Sequence, residues 1–131
     1  MSITIENSCT IVSASDLDFG TVGTLTSQVT SSSTIVLNCT TGAPYTITLD
    51  AGTGSGGTTS TREMTNGSET VSYQLYSDAG LTQPWGLTVS DDVSSTGTGV
   101  NQNFTVFGAV PIQATPSANT YTDTIGVVVT F

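Results

Sequence analysis

The residues able to do chemistry in this chain are few and mostly of one kind. Ten carboxylates stand against a single cation, Arg62, with no lysine and no histidine. Without histidine the usual general base is missing, and without lysine there is no amine nucleophile. A glycosidase would need two acids held across a cleft. The acids here fall in polar turns or on the outward parity of strand-like runs, so the sequence reads as that of a non-enzyme. Asp16 with Asp18, and Asp91 with Asp92, are oxygen pairs of the kind that ligate Ca²⁺. No calcium-loop spacing surrounds them, and solvated surface acids are the plainer reading. No cofactor is called for. Arg62 is expected to pair with a neighbouring acid such as Glu63 or Glu69. Trp85, with Tyr73 and Tyr76, is the candidate ligand surface, a platform for a sugar, against a default of core packing.

The charge balance excludes other classes. A formal net charge of −9 leaves no basic patch for nucleic acid or for an anionic membrane surface. It favours solubility, so self-association would have to come from a specific interface. Cys9 and Cys39 are the only cysteines. In a chain so poor in lysine they point to an oxidising compartment and one disulfide, the alternative being two buried thiols. Residues 1–3 show neither a basic region nor the apolar run of a signal peptide. A mature secreted sequence is the expectation.

These residues must be held by strands. At 131 residues the chain is expected to form one domain, 1–131, and only 8% of it is charged while Ser, Thr and Gly abound. Apolar residues alternate in short runs and nowhere recur with a helical period, which predicts an all-β protein. The first strand is expected over residues 2–13, using Ile3, Ile5, Cys9 and Ile11. Residues 16–22 alternate again, with Leu17 and Phe19 inward. Residues 27–33 read as a polar loop. Further strands are expected at 34–40 (Ile35, Leu37, Cys39), 45–50 (Tyr45, Ile47, Leu49) and 69–77 (Val71, Tyr73, Leu75). An Asn66-Gly67 turn precedes the last of these. Residues 51–61 and 91–102 read as Gly/Ser/Thr loops, the first a flexible hairpin loop; no Gly-Lys-Ser/Thr follows it, so it is not a phosphate loop. Residues 104–112 form another strand, bent near Pro111. In the last stretch, 120–131, Ile125, Val127, Val129 and Phe131 share one face. About seven strands with turns between them predict a β-sandwich.

The order and spacing of several short pieces carry a resemblance. They are Cys9, Leu17-Asp18-Phe19-Gly20, Cys39, and Tyr45-Thr46-Ile47-Thr48-Leu49. Arg62-Glu63-Met64, Val71-Ser72-Tyr73-Gln74-Leu75-Tyr76 and Pro84-Trp85-Gly86 follow. Val106-Phe107-Gly108-Ala109-Val110-Pro111, Tyr121-Thr122-Asp123 and the final apolar run close the chain. In these the chain resembles the spore coat protein U domain family, which supplies subunits of archaic, Csu-type chaperone–usher pili. The resemblance implies an incomplete immunoglobulin-like β-sandwich that lacks its seventh strand and is completed by a donor strand from a neighbour. It implies a periplasmic chaperone and an outer-membrane usher as assembly partners, neighbouring pilus subunits as permanent ones, and a host or abiotic surface as a target. Localisation would be extracellular, on the pilus, after secretion through the periplasm. On the same resemblance Ile125, Val127, Val129 and Phe131 form one wall of the acceptor groove, with the Phe131 carboxylate at the chaperone's anchoring site. Ile11 and Phe19 are expected on the other wall.

One feature departs from that pattern. Only eight residues precede Cys9, and Ile3 and Ile5 are expected to be used in the first strand. Either the chain is a tip subunit or adhesin domain, or a donor segment has been removed from it; as it stands it reads as an acceptor of a strand more plausibly than a donor. A shaft-type subunit is the first expectation, and a tip adhesin or a carbohydrate-binding sandwich using Trp85 and residues 87–103 is the alternative.

Overall fold

Ile35, Leu37 and Cys39, then Tyr45, Ile47 and Leu49, then Val71, Tyr73 and Leu75 alternate with polar residues. Strand geometry puts each trio on one face, and every one of these residues is buried in the core. Burying each large aliphatic side chain contributes roughly 1.5–3 kcal/mol before entropy is counted. The computed structural model describes residues 1–54 and 56–131; Ser55, within the glycine-rich stretch, lies outside them.

Eight strands form: β1 (Cys9–Ala14), β2 (Val29–Cys39), β3 (Pro44–Leu49), β4 (Arg62–Thr65), β5 (Thr70–Tyr76), β6 (Val93–Thr96), β7 (Asn101–Val110) and β8 (Val127–Thr130). No helix is present among the described residues. One sheet has the order β1-β2-β7-β5-β4 and the other β6-β3-β8. All pairings are antiparallel. The fold is the all-β sandwich that the sequence predicts, immunoglobulin-like as the family resemblance implies, with the core between the sheets.

Four boundaries differ from expectation. The first strand starts at Cys9, so residues 1–8 are exposed and outside any strand. Ile3 and Ile5 are 85% and 72% exposed rather than part of the core. Residues 29–33 are the first half of β2, paired with the end of β7. Their serines and threonines hid a strand with little to bury at that end. Residues 17–19 form no strand, yet Leu17 and Phe19 do pack on the core. Finally, the expected loop at 91–102 contains β6, held by β3.

Candidate functional site

A sandwich of two open sheets has four outer edges, and here they are treated differently. Beside β4, Thr65 N donates to Thr122 O at 2.9 Å and Thr122 N to Thr65 O at 3.1 Å. That bridge closes part of the edge. β6 carries one apolar residue, Val93, beside Ser94, Ser95 and Thr96, so its edge has no apolar row for an incoming strand to cover. β1 and β8 are the other two edges. β1 pairs with β2 and β8 with β3; the opposite edge of each has no strand partner among the described residues.

The side chains of β8 follow the predicted alternation. Val127 and Val129, with Ile125 just ahead of the strand, are half-buried and pack against the core. Val128 and Thr130 face outward. The three core-facing residues therefore form one row, incompletely covered. Phe131 lies past the end of β8 and is 59% exposed. Ile11, opposite Leu37 on β1, is 41% exposed. Phe19 lies elsewhere, edge-on to Tyr73 with ring centroids 6.1 Å apart. It reaches that place because β7 carries Gly108, where a Cβ would come within 2.9 Å of Phe19 Cζ and of Leu17 Cδ1. The structure thus assembles Ile125, Val127 and Val129, leaves Ile11 exposed on the other unpaired edge strand, and seats Phe19 over β5 and β7.

Cys9 and Cys39 are joined in a disulfide directly across the β1–β2 ladder, with Cα atoms 4.1 Å apart. The bond ties an edge strand to a strand with buried side chains.

Trp85 is not a ligand surface. It is 1% exposed, and its Nε1–H donates to Ile47 O at 2.9 Å. Tyr73 is buried too, so no aromatic platform forms with it. Residues 84–86 run between the sheets: Trp85 N donates to Leu75 O at 3.0 Å, and Leu49 N donates to Gly86 O at 3.2 Å. A Trp placed there has both an apolar pocket and a partner for its single donor.

Arg62 also differs from expectation. It pairs with neither Glu63 nor Glu69 and is 0% exposed. Its Nε donates to Asp50 O at 2.9 Å. Nη2 donates to Trp85 O at 2.7 Å and Leu49 O at 3.2 Å. Nη1 donates to Gln74 Oε1 and, at 3.4 Å, to Thr59 O. All five guanidinium N–H groups are therefore used, on four carbonyls and one amide. Burial pushes the Arg62 pKa down, while nearby Tyr73, Asp50, Asp123 and Asp91 oppose that shift. The sequence did carry a signal for this burial. A hairpin through Asn66-Gly67 places Arg62 opposite Tyr73, which fixes an inward parity.

The acids serve loops. Asp18 Oδ1 accepts from Gly20 N at 2.8 Å, and Asp91 Oδ1 accepts from Thr88 N at 2.7 Å. Asp123 Oδ1 accepts from Thr53 N at 2.7 Å and Gly54 N at 3.2 Å, while Oδ2 accepts from the Tyr73 hydroxyl. The glycine-rich stretch expected to be flexible is therefore tied down at Thr53 and Gly54. No three His, Cys, Asp or Glu side chains come together among the described residues as a metal site would require.

The comparison with known families is decided over nearly the whole chain: the Spore Coat Protein U domain matches residues 1–128. The chain belongs to that family. Among solved structures, this spore coat U domain is similar to a chain of the CsuC–CsuE chaperone–tip adhesion subunit pre-assembly complex. That complex comes from the archaic chaperone–usher Csu pili of Acinetobacter baumannii. The TM-score is 0.70 and the identity 26%, over 98% of this chain and 40% of that one. The domain thus spans under half the length of the chain it matches. No curated protein matches it significantly.

Proposed function

We propose that this spore coat U domain is a structural subunit of an archaic chaperone–usher pilus, assembled by donor-strand complementation. The observation that carries the reading is the pair of unpaired edge strands, β1 and β8. Beside β8 the core-facing row Ile125, Val127 and Val129 is only half covered. A strand laid along β8 would pair its backbone and cover that row, which is β-augmentation. Alternate apolar side chains on the incoming strand would set the register. Ile11 on β1 and Phe131 past β8 are exposed apolar side chains that an incoming strand would also cover, while Phe19 sits over β5 and β7.

Residues 1–8 sharpen the reading. With β1 starting at Cys9, Met1, Ile3 and Ile5 alternate on an exposed segment. That is the pattern such a groove takes. In this reading residues 1–5 would serve as a short donor toward the next copy, where the sequence alone reads the chain as an acceptor more plausibly than a donor.

In this account a periplasmic chaperone holds β8 first and an outer-membrane usher hands the domain to its neighbour. The product is an extracellular pilus serving surface adhesion and biofilm formation. The relative in the Csu complex supports the chaperone by analogy. Co-expression in a periplasm with an archaic-class chaperone tests the reading: the domain is expected to co-purify with it one to one. Accumulation as a stable free monomer that ignores the chaperone would contradict it.

A further inference from the structure

The only cation of the chain is buried with no carboxylate among its hydrogen-bond partners, and the pilus reading gives it no task. We propose that Arg62 is a positioning residue for the strand-accepting edge: its guanidinium fixes the Leu49 and Asp50 carbonyls, and Asp50 in turn fixes the start of β8. The inference rests on the reading of β8 as one side of an acceptor groove.

The chain of contacts is short. Arg62 Nε holds the carbonyl of Asp50, just past β3, and Nη2 that of Leu49, the last residue of β3. Nη2 also holds the Trp85 carbonyl, whose neighbour Gly86 accepts the Leu49 amide. Asp50 is thereby anchored, and it grips Gly126 twice. Asp50 N donates to Gly126 O at 3.1 Å, and Gly126 N donates to Asp50 Oδ1 at 2.9 Å. Asp50 Oδ1 is itself held by Gly52 N at 2.8 Å. One residue later β8 begins.

The energetics favour a positioning role over simple stabilisation. A buried charge is a weak stabiliser, because its desolvation offsets much of what its contacts contribute. What arginine offers over an apolar side chain is a rigid fork that holds several acceptors at set angles. A short edge strand paired on one side is the kind of element that opens locally. Ordering it beforehand lowers the conformational cost of taking up a partner strand.

Hydrogen exchange on the wild-type domain, Arg62→Lys and Asp50→Ala decides the matter. Lysine keeps the charge and loses the fork; Asp50→Ala keeps every Arg62 bond and removes the side-chain link to Gly126, leaving only the backbone bond from residue 50 to Gly126 O. In both variants the amides of residues 126–130 are expected to exchange about tenfold faster or more, while those of the β2–β7 ladder change by less than about threefold. Dissociation of an alternating Ile-Thr peptide of about ten residues is expected to speed up by a similar factor. Equal acceleration in all strands would make Arg62 a general structural residue and overturn the proposal, as would unchanged exchange at 126–130. Should Arg62→Lys fail to fold, Asp50→Ala still tests the link from Asp50 to β8, and unchanged exchange at 126–130 in that variant would overturn the proposal. If the wild type binds no peptide, the pilus reading fails, while the exchange comparison still decides whether Arg62 governs β8.

Discussion

Asp50 and Gly126 hold each other through reciprocal bonds: Asp50 N to Gly126 O at 3.1 Å, and Gly126 N to Asp50 Oδ1 at 2.9 Å. This pair joins the end of β3 to the start of β8. A Cβ at residue 126 would run into the Asp50 carboxylate, so only glycine allows so close an approach without displacing it. Gly126→Ala is expected to destabilise the domain by about 1–3 kcal/mol, the usual range for forced overpacking. A urea titration followed by Trp85 fluorescence measures it.

The disulfide acts at the other open edge. Cys9 and Cys39 enclose a sequence separation of 30 residues. By the chain-entropy model the closed loop contributes about 3–4 kcal/mol. The Cys9→Ala, Cys39→Ala double variant is expected to melt about 10–15 °C lower, on the usual scaling of Tm with stability for a chain of this size. Thermal unfolding monitored by circular dichroism checks this, and reductant should bring the wild type to a similar Tm.

Acid should loosen the loop that leads to β8. Glu69 accepts from Ser117 N at 2.7 Å, Ser117 Oγ at 2.9 Å and the Tyr121 hydroxyl at 2.9 Å. These bonds, that from Ser117 N first, hold its pKa below the ordinary 4.5. With the folded value below the unfolded one, the contribution is present above pH 4.5 and disappears as pH falls through the folded value. At the alkaline end the Tyr73 hydroxyl is pushed up by burial and then by its bond to Asp123. That contribution is intact below pH 10.0 and is lost as pH rises above it. A Tm-versus-pH profile should fall on both sides. The Glu69→Gln variant should have a shallower acid limb, and the Tyr73→Phe variant a shallower alkaline limb.

Arg62 is the only site in the sequence for a protease that cleaves after Lys or Arg, and it is fully buried. The native domain should therefore resist trypsin, and cleavage should report the opening of the structure around β4. Digestion followed by mass spectrometry is expected to give two fragments, at a rate that rises with urea in step with unfolding. Rapid cleavage in native buffer would contradict the buried Arg62.

How much of this was legible in the sequence depends on the range of the forces involved. The trios in β2, β3 and β5 were readable because burial by alternation is local. Leu17 and Phe19 were read inward correctly although no strand forms there, since side-chain parity survives where ladder bonds do not. Residues 29–33 were missed because Ser31, Ser32 and Ser33 bury little, and their pairing with β7 joins positions distant in sequence. Arg62 was assigned to a carboxylate because charges usually pair. Its actual partners are the Gln74 side-chain amide and the backbone carbonyls of Leu49, Asp50, Thr59 and Trp85, and the backbone carbonyls carry no sequence label. Of the groove, the β8 row was legible, whereas the freedom of Ile3 and Ile5 was not: only the start of β1 at Cys9 reveals it.

The central claim is that the β8 edge takes a strand from another chain. Thermal unfolding of the purified domain, alone and with a saturating alternating Ile-Thr peptide of about ten residues, tests it most directly. The account predicts a rise in Tm of about 10 °C at a peptide concentration near a hundred times Kd, since binding only to the folded state adds about 2.7 kcal/mol there. A scrambled peptide with its apolar residues clustered should have no such effect, because it cannot match the period of the groove. A domain that melts reversibly at one temperature, whichever peptide is present, would contradict the account.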